Sequence, residues 1–453
     1  MERYIELSRK YPHFIYHDCT YTVSGQKLEG RFTFLINDDK DETVFELFTS
    51  FSIQYIGKSV EVDTELEALV FNLGMAEAIS YWKLTCAPRF SVNCGHLDKQ
   101  QQTWWKKLFK KGLSEFFYLN DMMDWDESML QFESTGDVIE APSKRVYNHD
   151  QVLVPIGGGK DSISSVEILH GHRQILPLMM NPGEASMNFV TYHDFSEYVK
   201  ITRSLDRQII DLNSQGFLNG HIPFSAVLSL YTMTAARLYG IADIALSNES
   251  SANEPTILGT DINHQYSKSL EYERDINRYV ADYLDQDIRY FSLLRPLNEY
   301  QITKIFSQVD DRVLEIFRSC NRGSKKGIWC CKCPKCLFTY IMVHAHLPME
   351  KMVNIFGVDL LEDPELEGYF RSLTGQRTEK PFECVGTIEE VNAALAIIKE
   401  KRKGKLPRLF DHWNESLVEK TGEQLLADFE DHDLDQVYAD LVRKKLADVT
   451  SVS

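Results

Sequence analysis

Three consecutive glycines between a strand-like and a helix-like segment constrain this chain more than any other feature. Residues 151–156 are short and apolar, as expected for a buried strand, and residues 162–170 have a helical pattern. The connection consists of Gly157, Gly158, Gly159, Lys160, Asp161 and Ser162. Because glycine lets backbone amides approach a ligand and a helix N-terminus favours negative charge, the segment predicts an anion-binding loop. A turn that only connects strand and helix is the alternative.

The residues from 147 to 310 alternate between strand and helix patterns. Strands are predicted over residues 151–156, 174–180, 208–211 and 241–246, and helices over residues 162–170, 195–204 and 223–239. Strands separated by helices favour a parallel α/β sheet. We therefore expect three parts, namely an α+β N-terminal block at residues 1–146, an α/β domain at residues 147–310 and a helix-rich C-terminal part at residues 311–453.

The residue spacing in the glycine loop differs from the sequence patterns of two common phosphate-binding loops. A Walker A loop needs a glycine at position 154 and a serine or threonine at position 161, but the chain has Val154 and Asp161. The Gly-x-Gly-x-x-Gly pattern also fails, because Ser162 stands where the third glycine would be. The loop instead resembles the Ser-Gly-Gly-x-Asp-Ser pattern of the PP-loop ATP pyrophosphatases, with Gly157 in place of the first serine.

The resemblance to PP-loop enzymes implies an adenine nucleotide alpha hydrolase-like fold over about residues 150–310, with ATP and Mg²⁺ as cofactors. In such enzymes a nucleophile attacks the α-phosphate of ATP and pyrophosphate leaves. The glycine amides, the cation of Lys160 and the hydroxyl of Ser162 are expected to hold the phosphates. Asp161 repels phosphate and is expected to bind Mg²⁺.

A second polar segment follows the predicted strand at residues 241–246. It runs from position 247 to position 255 and contains Asn248 and Glu249. Since ligands of open α/β sheets bind beyond the carboxyl ends of strands, Asn248 is expected to contact the nucleotide and Glu249 to serve in catalysis. A solvated loop is the alternative. His221 is a further candidate for acid or base catalysis, although a helix-capping or packing histidine also fits.

Five of the nine cysteines lie within residues 320–336. Four of them have the spacing C-x9-C-x2-C-x2-C, which suits a tetrahedral zinc site, and they are Cys320, Cys330, Cys333 and Cys336. The spacing resembles that of 7-cyano-7-deazaguanine synthase, a PP-loop enzyme with a structural zinc. We therefore predict a structural Zn²⁺, with an iron–sulfur cluster or reduced cysteines in a packed turn as alternatives. Cys331 and Cys384 are spare thiols and either could be catalytic.

The charge balance limits the partners of the chain. With 49 Lys and Arg against 67 Asp and Glu, the formal net charge is −18, which argues against bulk binding of nucleic acid or anionic membranes. The N-terminus lacks the apolar core of a signal peptide, and the longest charge-free run is too polar to span a bilayer. A cytoplasmic protein is expected. The basic stretch at residues 104–111 is interpreted as the solvated face of a helix.

Together these motifs resemble one family, the bacterial UDP-N-acetylmuramoyl-L-alanyl-L-glutamate epimerases. The resemblance is carried by the loop at residues 157–162, the segment at residues 248–255, the cysteine motif and the run from position 380 to position 386. It implies an ATP-dependent isomerase that inverts the terminal L-Glu of a peptidoglycan precursor. The expected partner is therefore a small molecule, UDP-MurNAc-L-Ala-L-Glu.

The implied chemistry starts by activating a carboxylate. Conversion to an acyl-adenylate makes the α-proton more acidic, because a second negative charge no longer develops beside the first. A base then takes the proton and an acid returns one from the other face; the candidates for the base are His221, Glu249, Cys331 and Cys384. Two other functions stay open, namely a PP-loop enzyme that adenylates a nucleobase or tRNA for thiolation, amidation or nitrile formation, and a nucleotide-binding sensor. The sequence does not indicate the oligomeric state.

Overall fold

One sheet runs through the N-terminal block and the α/β part of the chain. The computed structural model describes residues 2–257, 259–402 and 404–451, and within these ranges ten strands form this sheet. The strands are β1 (His13–Ser24), β2 (Lys27–Asn37), β3 (Thr43–Ile56), β4 (Arg89–Val92), β5 (Gln131–Ser134), β6 (Asn148–Pro155), β7 (Gln174–Met180), β8 (Tyr198–Leu205), β9 (Ile241–Leu246) and β10 (Arg289–Ser292). Their order across the sheet is β10-β9-β6-β7-β8-β3-β2-β1-β4-β5.

Helices cover the sheet and make up most of the C-terminal part. They are α1 (Glu2–Lys10), α2 (Glu67–Trp82), α3 (Lys99–Gly112), α4 (Ser114–Leu119), α5 (Lys160–Leu169), α6 (Glu184–Tyr192), α7 (Gln208–Ser214), α8 (Phe224–Tyr239), α9 (Leu270–Tyr283), α10 (Glu299–Phe306), α11 (Asp311–Ile316), α12 (Pro334–His344), α13 (Met349–Phe356), α14 (Glu367–Leu373), α15 (Ile388–Lys401), α16 (Gly422–Ala427) and α17 (Gln436–Ser451). No helix in the described part of the chain is both long and apolar enough to cross a bilayer.

Strands β6 to β10 form a parallel α/β unit. Strand β6 lies at its centre, with β7 and β8 on one side and β9 and β10 on the other, and all of these pairings are parallel. Because the chain leaves β6 toward one side and returns from β8 to the other, a crevice opens at the carboxyl ends of β6 and β9. The predicted α/β class with a parallel sheet is therefore confirmed.

The sheet continues from the α/β unit into the N-terminal block. Strands β1, β2 and β3 form an antiparallel meander, and β3 pairs antiparallel with β8. The ring of Phe51 on β3 contacts that of Tyr231 on α8, with 5.8 Å between the centroids. The predicted boundary at residue 146 thus lies in the connection between β5 and β6, while the hydrophobic core extends across it.

Two predicted elements between residues 195 and 211 were wrong. Residues 195–204 were expected to be helical, but Tyr198–Leu205 is strand β8; residues 208–211 were expected to be a strand, but Gln208–Ser214 is helix α7. In β8 the buried side chains of Val199 and Ile201 alternate with exposed Lys200. This period of two is typical of a strand with one buried face and one exposed face.

Helix α3 contains the basic stretch at residues 104–111, and its lysines contact α9. The Nζ of Lys107 pairs with Glu271 at 2.8 Å and with Asp275, while the Nζ of Lys111 lies 2.6 Å from Glu271. The side chains of Lys107, Lys110 and Lys111 are 36–45% exposed, as expected for the predicted solvated face, and two of them also join α3 to α9.

The C-terminal helices pack behind the glycine loop. Helices α10 and α17 lie against α5, and apolar side chains of α5 and α12, such as Ile163 and Leu337, belong to one core. The segment that contains the cysteines is thereby placed beside the carboxyl end of β6.

Candidate functional site

A cavity of about 370 Å³ lies at the carboxyl ends of β6, β7 and β9. It is bordered by the glycine loop on one side and by the C-terminal part on the other. Its lining includes residues with polar groups, namely Gly157, Gly159, Asp161, Ser162, Ser225, Ser247, Asn248, Lys268, Arg318, Ser319, Cys320, Asn321, Ser324, Lys335 and Cys384. The crevice that the strand order creates is thus the place where the glycine loop meets the C-terminal part of the chain.

The loop requires a glycine at position 158 but not at position 157. Gly158 has a φ of 80°, and a Cβ there would lie 2.5 Å from the carbonyl carbon of Ala185. Gly157 has open space where its Cβ would be. A side chain such as the serine of the PP-loop pattern would therefore fit at position 157.

Gly158→Ala is expected to lower the free energy of unfolding by about 2 kcal/mol or more. The left-handed backbone costs alanine roughly 1 kcal/mol, and the overlap with Ala185 adds strain. Gly157→Ala is the matched control and should stay within about 0.5 kcal/mol of the wild type. Urea denaturation measures both variants, and equal stabilities would contradict the assignment of strain to Gly158.

Helix α5 begins at the cavity without a side-chain cap. Its N-cap residue is Gly159, and the Oγ of Ser319 accepts a hydrogen bond from the amide of Lys160 at 3.1 Å. The amide of Arg318 donates to the carbonyl of Gly158 at 2.9 Å. The segment at residues 318–319 therefore fixes the glycine loop, and the start of α5 offers amide donors and a positive dipole end to an anion.

The side chain of Lys160 does not line the cavity, contrary to its predicted place at the phosphates. It is fully buried, and its Nζ pairs with the carboxylates of Asp161 and Glu299, the first residue of α10. Burial alone would lower the pKa of Lys160, but the two carboxylates raise it above its usual range. Burial is also the main cause that raises the pKa of Glu299, to about 8. Lys160 is therefore a buried ion-pair partner that holds Asp161 at the cavity.

Three other cations line the cavity instead, and they are Lys268, Arg318 and Lys335. Asp161 is the one carboxylate among the described lining residues. Burial alone would raise its pKa, but the charges of Lys160 and Lys335 hold it below the usual range. The cavity thus combines a positive field with one ionised carboxylate. Sequence reasoning missed these cations, although Lys335 lies inside the cysteine motif and Arg318 just before it.

Two predicted catalytic residues, His221 and Glu249, lie outside the cavity lining. Glu249 is buried, and its Oε2 has no hydrogen-bond partner among the described residues. His221 stacks near His264, with 4.3 Å between the ring centroids, and burial together with the charge of His264 lowers the pKa of His221 to about 3. Asn248, by contrast, lines the cavity and donates to the Oγ of Ser292 at 2.9 Å.

The two spare thiols have different environments. Cys331 lies outside the cavity lining, and its Sγ contacts the carbonyl of Phe356 at 3.6 Å. Cys384 lines the cavity. Burial alone would raise the pKa of Cys384, but the charge of Lys268, contact with His264 and the charge of Lys335 lower it to about 6.

The four cysteines with zinc-like spacing come together beside the cavity. The Sγ atoms of Cys320, Cys330, Cys333 and Cys336 all lie within 4.8 Å of one another. Backbone amides point at these sulfurs, since the amide of Gly323 lies 3.2 Å from the Sγ of Cys320. The Sγ of Cys333 caps α12 and accepts from the amide of Cys336 at 3.4 Å. Four thiols with amide donors around them could hold a tetrahedral metal ion.

Comparison with known proteins agrees with the resemblance seen in the sequence. The family model of the MurL N-terminal domain matches residues 6–293, and that of the MurL C-terminal domain matches residues 316–427. No solved structure matches the chain.

Three relatives carry the same name, UDP-N-acetyl-alpha-D-muramoyl-L-alanyl-L-glutamate epimerase. The protein from Micromonospora sp. is 34% identical over 76% of both chains. That from Xanthomonas oryzae pv. oryzae is 32% identical over 76% of this chain and 77% of its own length, and that from Salinispora tropica is 35% identical over 73% and 72%. The predicted family is thus confirmed, and the chain belongs to the UDP-N-acetyl-alpha-D-muramoyl-L-alanyl-L-glutamate epimerase family.

Proposed function

We propose that this chain inverts the terminal L-Glu of UDP-MurNAc-L-Ala-L-Glu to D-Glu through an acyl-adenylate formed from ATP, as a step in peptidoglycan precursor synthesis. The names of the relatives support the substrate and the inversion. The observation that carries the use of ATP is the cavity itself, in which an uncapped helix start, a glycine loop and three cations meet at the carboxyl ends of parallel strands. We also propose a cytoplasmic location, as expected for an enzyme that acts on a UDP-linked precursor.

The PP-loop assignment is part of the proposal. In sequence order the strands of the α/β unit are arranged 3-2-1-4-5, with the glycine loop after the central strand β6. The loop amides and the start of α5 would bind phosphate oxygens, and Lys268, Arg318 and Lys335 would neutralise their charge.

A magnesium ion fits the donor set at the cavity. The carboxylate of Asp161 is partly exposed there and ionised, and oxygen ligands are those that Mg²⁺ prefers. Asp161 would hold the ion together with phosphate oxygens of the nucleotide. The ion would supply charge neutralisation on the phosphates.

Adenylation makes the inversion feasible. The free carboxylate resists loss of the α-proton, because the carbanion would place a second negative charge beside the first. In the acyl-adenylate that charge is removed and the electron pair of the broken bond can move onto the acyl oxygen. Pyrophosphate leaves in the first step, and water cleaves the adenylate after inversion.

The proposal includes a zinc ion at the four cysteines Cys320, Cys330, Cys333 and Cys336. Their sulfurs face one another, and those of Cys320 and Cys333 receive amide hydrogen bonds, as expected of metal-bound thiolates. The ion would hold the segment at residues 318–324, which fixes the glycine loop.

Cys333→Ser is expected to lose the bound zinc, to lower the free energy of unfolding by at least about 2 kcal/mol and to weaken ATP binding. Cys331→Ser is the control, because its Sγ contacts a carbonyl of α13 and is outside the set of four. Zinc content by mass spectrometry, thermal unfolding and ATP titration measure the effects. One equivalent of zinc in the Cys333 variant would contradict the site.

The test of the proposed function is pyrophosphate release with ATP and one of three second substrates. These are UDP-MurNAc-L-Ala-L-Glu, its D-Glu epimer and tRNA. Release that depends on the L-Glu dipeptide, with D-Glu in the hydrolysed product, supports the epimerase. Release with tRNA alone would favour the nucleobase or tRNA enzyme, to which the cysteine motif also points. ATP binding without any release would favour a sensor.

A further inference from the structure

We propose that the thiol of Cys384 exchanges the proton at the α-carbon of the glutamate, and that His264 and Glu115 are positioning residues for it. The inference rests on the proposed function and identifies the base within it. It starts from the four candidates that the sequence offered, of which Cys384 is the one that lines the cavity. His221, Glu249 and Cys331 lie outside the lining.

The backbone holds Cys384 in place at the cavity. Its carbonyl accepts a hydrogen bond from the Nζ of Lys335, the lysine that lines the cavity from α12. Three residues further on, Thr387 caps α15 with its side chain and thereby fixes the end of the segment. The thiol is therefore carried on a short anchored segment that lines the same cavity as the glycine loop, as proton transfer to a bound substrate requires.

The surroundings of the thiol favour its ionised form. The charges of Lys268 and Lys335 act on the thiol of Cys384 from the same cavity lining, and His264 also acts on it. These charges outweigh burial, so that a thiolate is available at neutral pH. A thiolate beside cations is a competent base, and the thiol that it becomes can release the proton to solvent.

His264 is itself held by a carboxylate on α4. Its Nδ1 is hydrogen bonded to the Oε2 of Glu115, and both side chains are largely buried. Burial alone would lower the pKa of His264, but contacts with Cys384 and Glu115 raise it to about 9. The carboxylate therefore keeps the imidazole charged and fixes its ring, in the manner of the third member of a catalytic triad.

Inversion moves one proton from Cα to Cys384 and a second proton from water to the other face of Cα. The Cα–H bond of the acyl-adenylate breaks, its electron pair moves onto the acyl oxygen and the proton goes to the Sγ of Cys384. A water molecule on the opposite face donates a proton to Cα as the acyl carbonyl reforms. The proton on Sγ and the hydroxide on the other face then combine to water through the solvent, which regenerates the thiolate. The product therefore carries a solvent hydrogen at Cα.

The experiment separates adenylation from inversion in the full-length enzyme. ATP–pyrophosphate exchange that depends on UDP-MurNAc-L-Ala-L-Glu measures adenylation, and deuterium incorporation at Cα in D₂O measures proton exchange. In Cys384→Ala and Cys384→Ser we expect deuterium incorporation to fall by at least about 100-fold, while ATP–pyrophosphate exchange stays within about threefold of the wild type. Cys19→Ala, a thiol in β1, is the control and should change neither rate.

Two results would overturn the assignment of Cys384. One is inversion at the wild-type rate in either variant. The other is a parallel loss of ATP–pyrophosphate exchange and inversion in both variants, which would place the thiol in nucleotide binding or folding. Absence of dipeptide-dependent exchange in the wild type would instead refute the proposed function.

The positioning role of His264 and Glu115 is tested by separate variants. His264→Gln and Glu115→Gln should lower kcat for inversion by about 10-fold or more and leave the KM of the dipeptide in ATP–pyrophosphate exchange unchanged. A merely structural role would change both parameters together. Unchanged kcat in both variants would remove His264 and Glu115 from the proposal.

Discussion

Asp161→Asn is expected to lower the rate of pyrophosphate release by about 10³-fold in a chain that stays folded. Asp161 is the carboxylate that lines the cavity, and the charges of Lys160 and Lys335 keep it ionised. An amide of the same shape removes the negative charge that would bind Mg²⁺. The fold should persist because Lys160 keeps Glu299 as its ion-pair partner.

The control for this variant is Asp150→Asn, which removes a carboxylate from the exposed start of β6. It should release pyrophosphate at the wild-type rate. Release is measured with ATP and the L-Glu dipeptide over a range of Mg²⁺ concentrations, together with thermal unfolding of each variant. Full activity of Asp161→Asn at low Mg²⁺ would refute both the metal role and the PP-loop assignment.

The features that were predicted correctly depend on short, local sequence patterns. Strands β6, β7 and β9 are apolar runs bounded by glycine, proline or polar residues, and the helix after the glycine loop has its own periodic pattern. The four cysteines are likewise separated by few residues, so their meeting follows from the local chain path. Segment 195–211 was the exception, because β8 becomes a strand through pairing with β3, which is far away in sequence.

The features that were missed depend on distant contacts. Lys160 looked free to bind phosphate, but its partner Glu299 is contributed by α10, which packs on α5 only in the folded chain. Lys268 reaches the cavity from a segment that has no motif. Glu115 and His264 meet across 149 residues. Such pairings follow from the order of the strands and the packing of helices, and no local pattern specifies them.

The net charge of −18 is unevenly distributed over the structure. The acidic excess lies elsewhere, while the cavity is lined by three cations and one carboxylate. A nucleotide or a UDP-linked substrate would be attracted by this local field over a distance of about 10 Å, since salt screens the rest of the surface. An acidic protein can therefore bind polyanionic small molecules at a single local site.

Lys160→Met is expected to lower the free energy of unfolding by about 3–5 kcal/mol at pH 7, because Glu299 then lies buried without a counter-charge and must either stay charged there or hold a proton that the unfolded chain would release. Lys160 and Glu299 are both fully buried; Lys160 pairs with the Oε2 of Glu299, and the Oε1 has no hydrogen-bond partner among the described residues. Lys444→Met, on the exposed face of α17, is the control and should cost less than about 0.5 kcal/mol. Urea denaturation at pH 7 gives the three values.

The double variant Lys160→Met with Glu299→Leu decides whether the charge is the cause. Replacing both partners by apolar side chains should restore most of the lost stability, since no unpaired charge stays buried. In the single variant, burial keeps the pKa of Glu299 raised, so the folded state retains a proton that the unfolded chain releases above about pH 4.3. The single variant should therefore lose stability as pH rises from 5.5 to about 8, and the double variant should not. Equal losses in both variants, independent of pH, would indicate that the methylene groups of Lys160 stabilise the loop by packing rather than its charge.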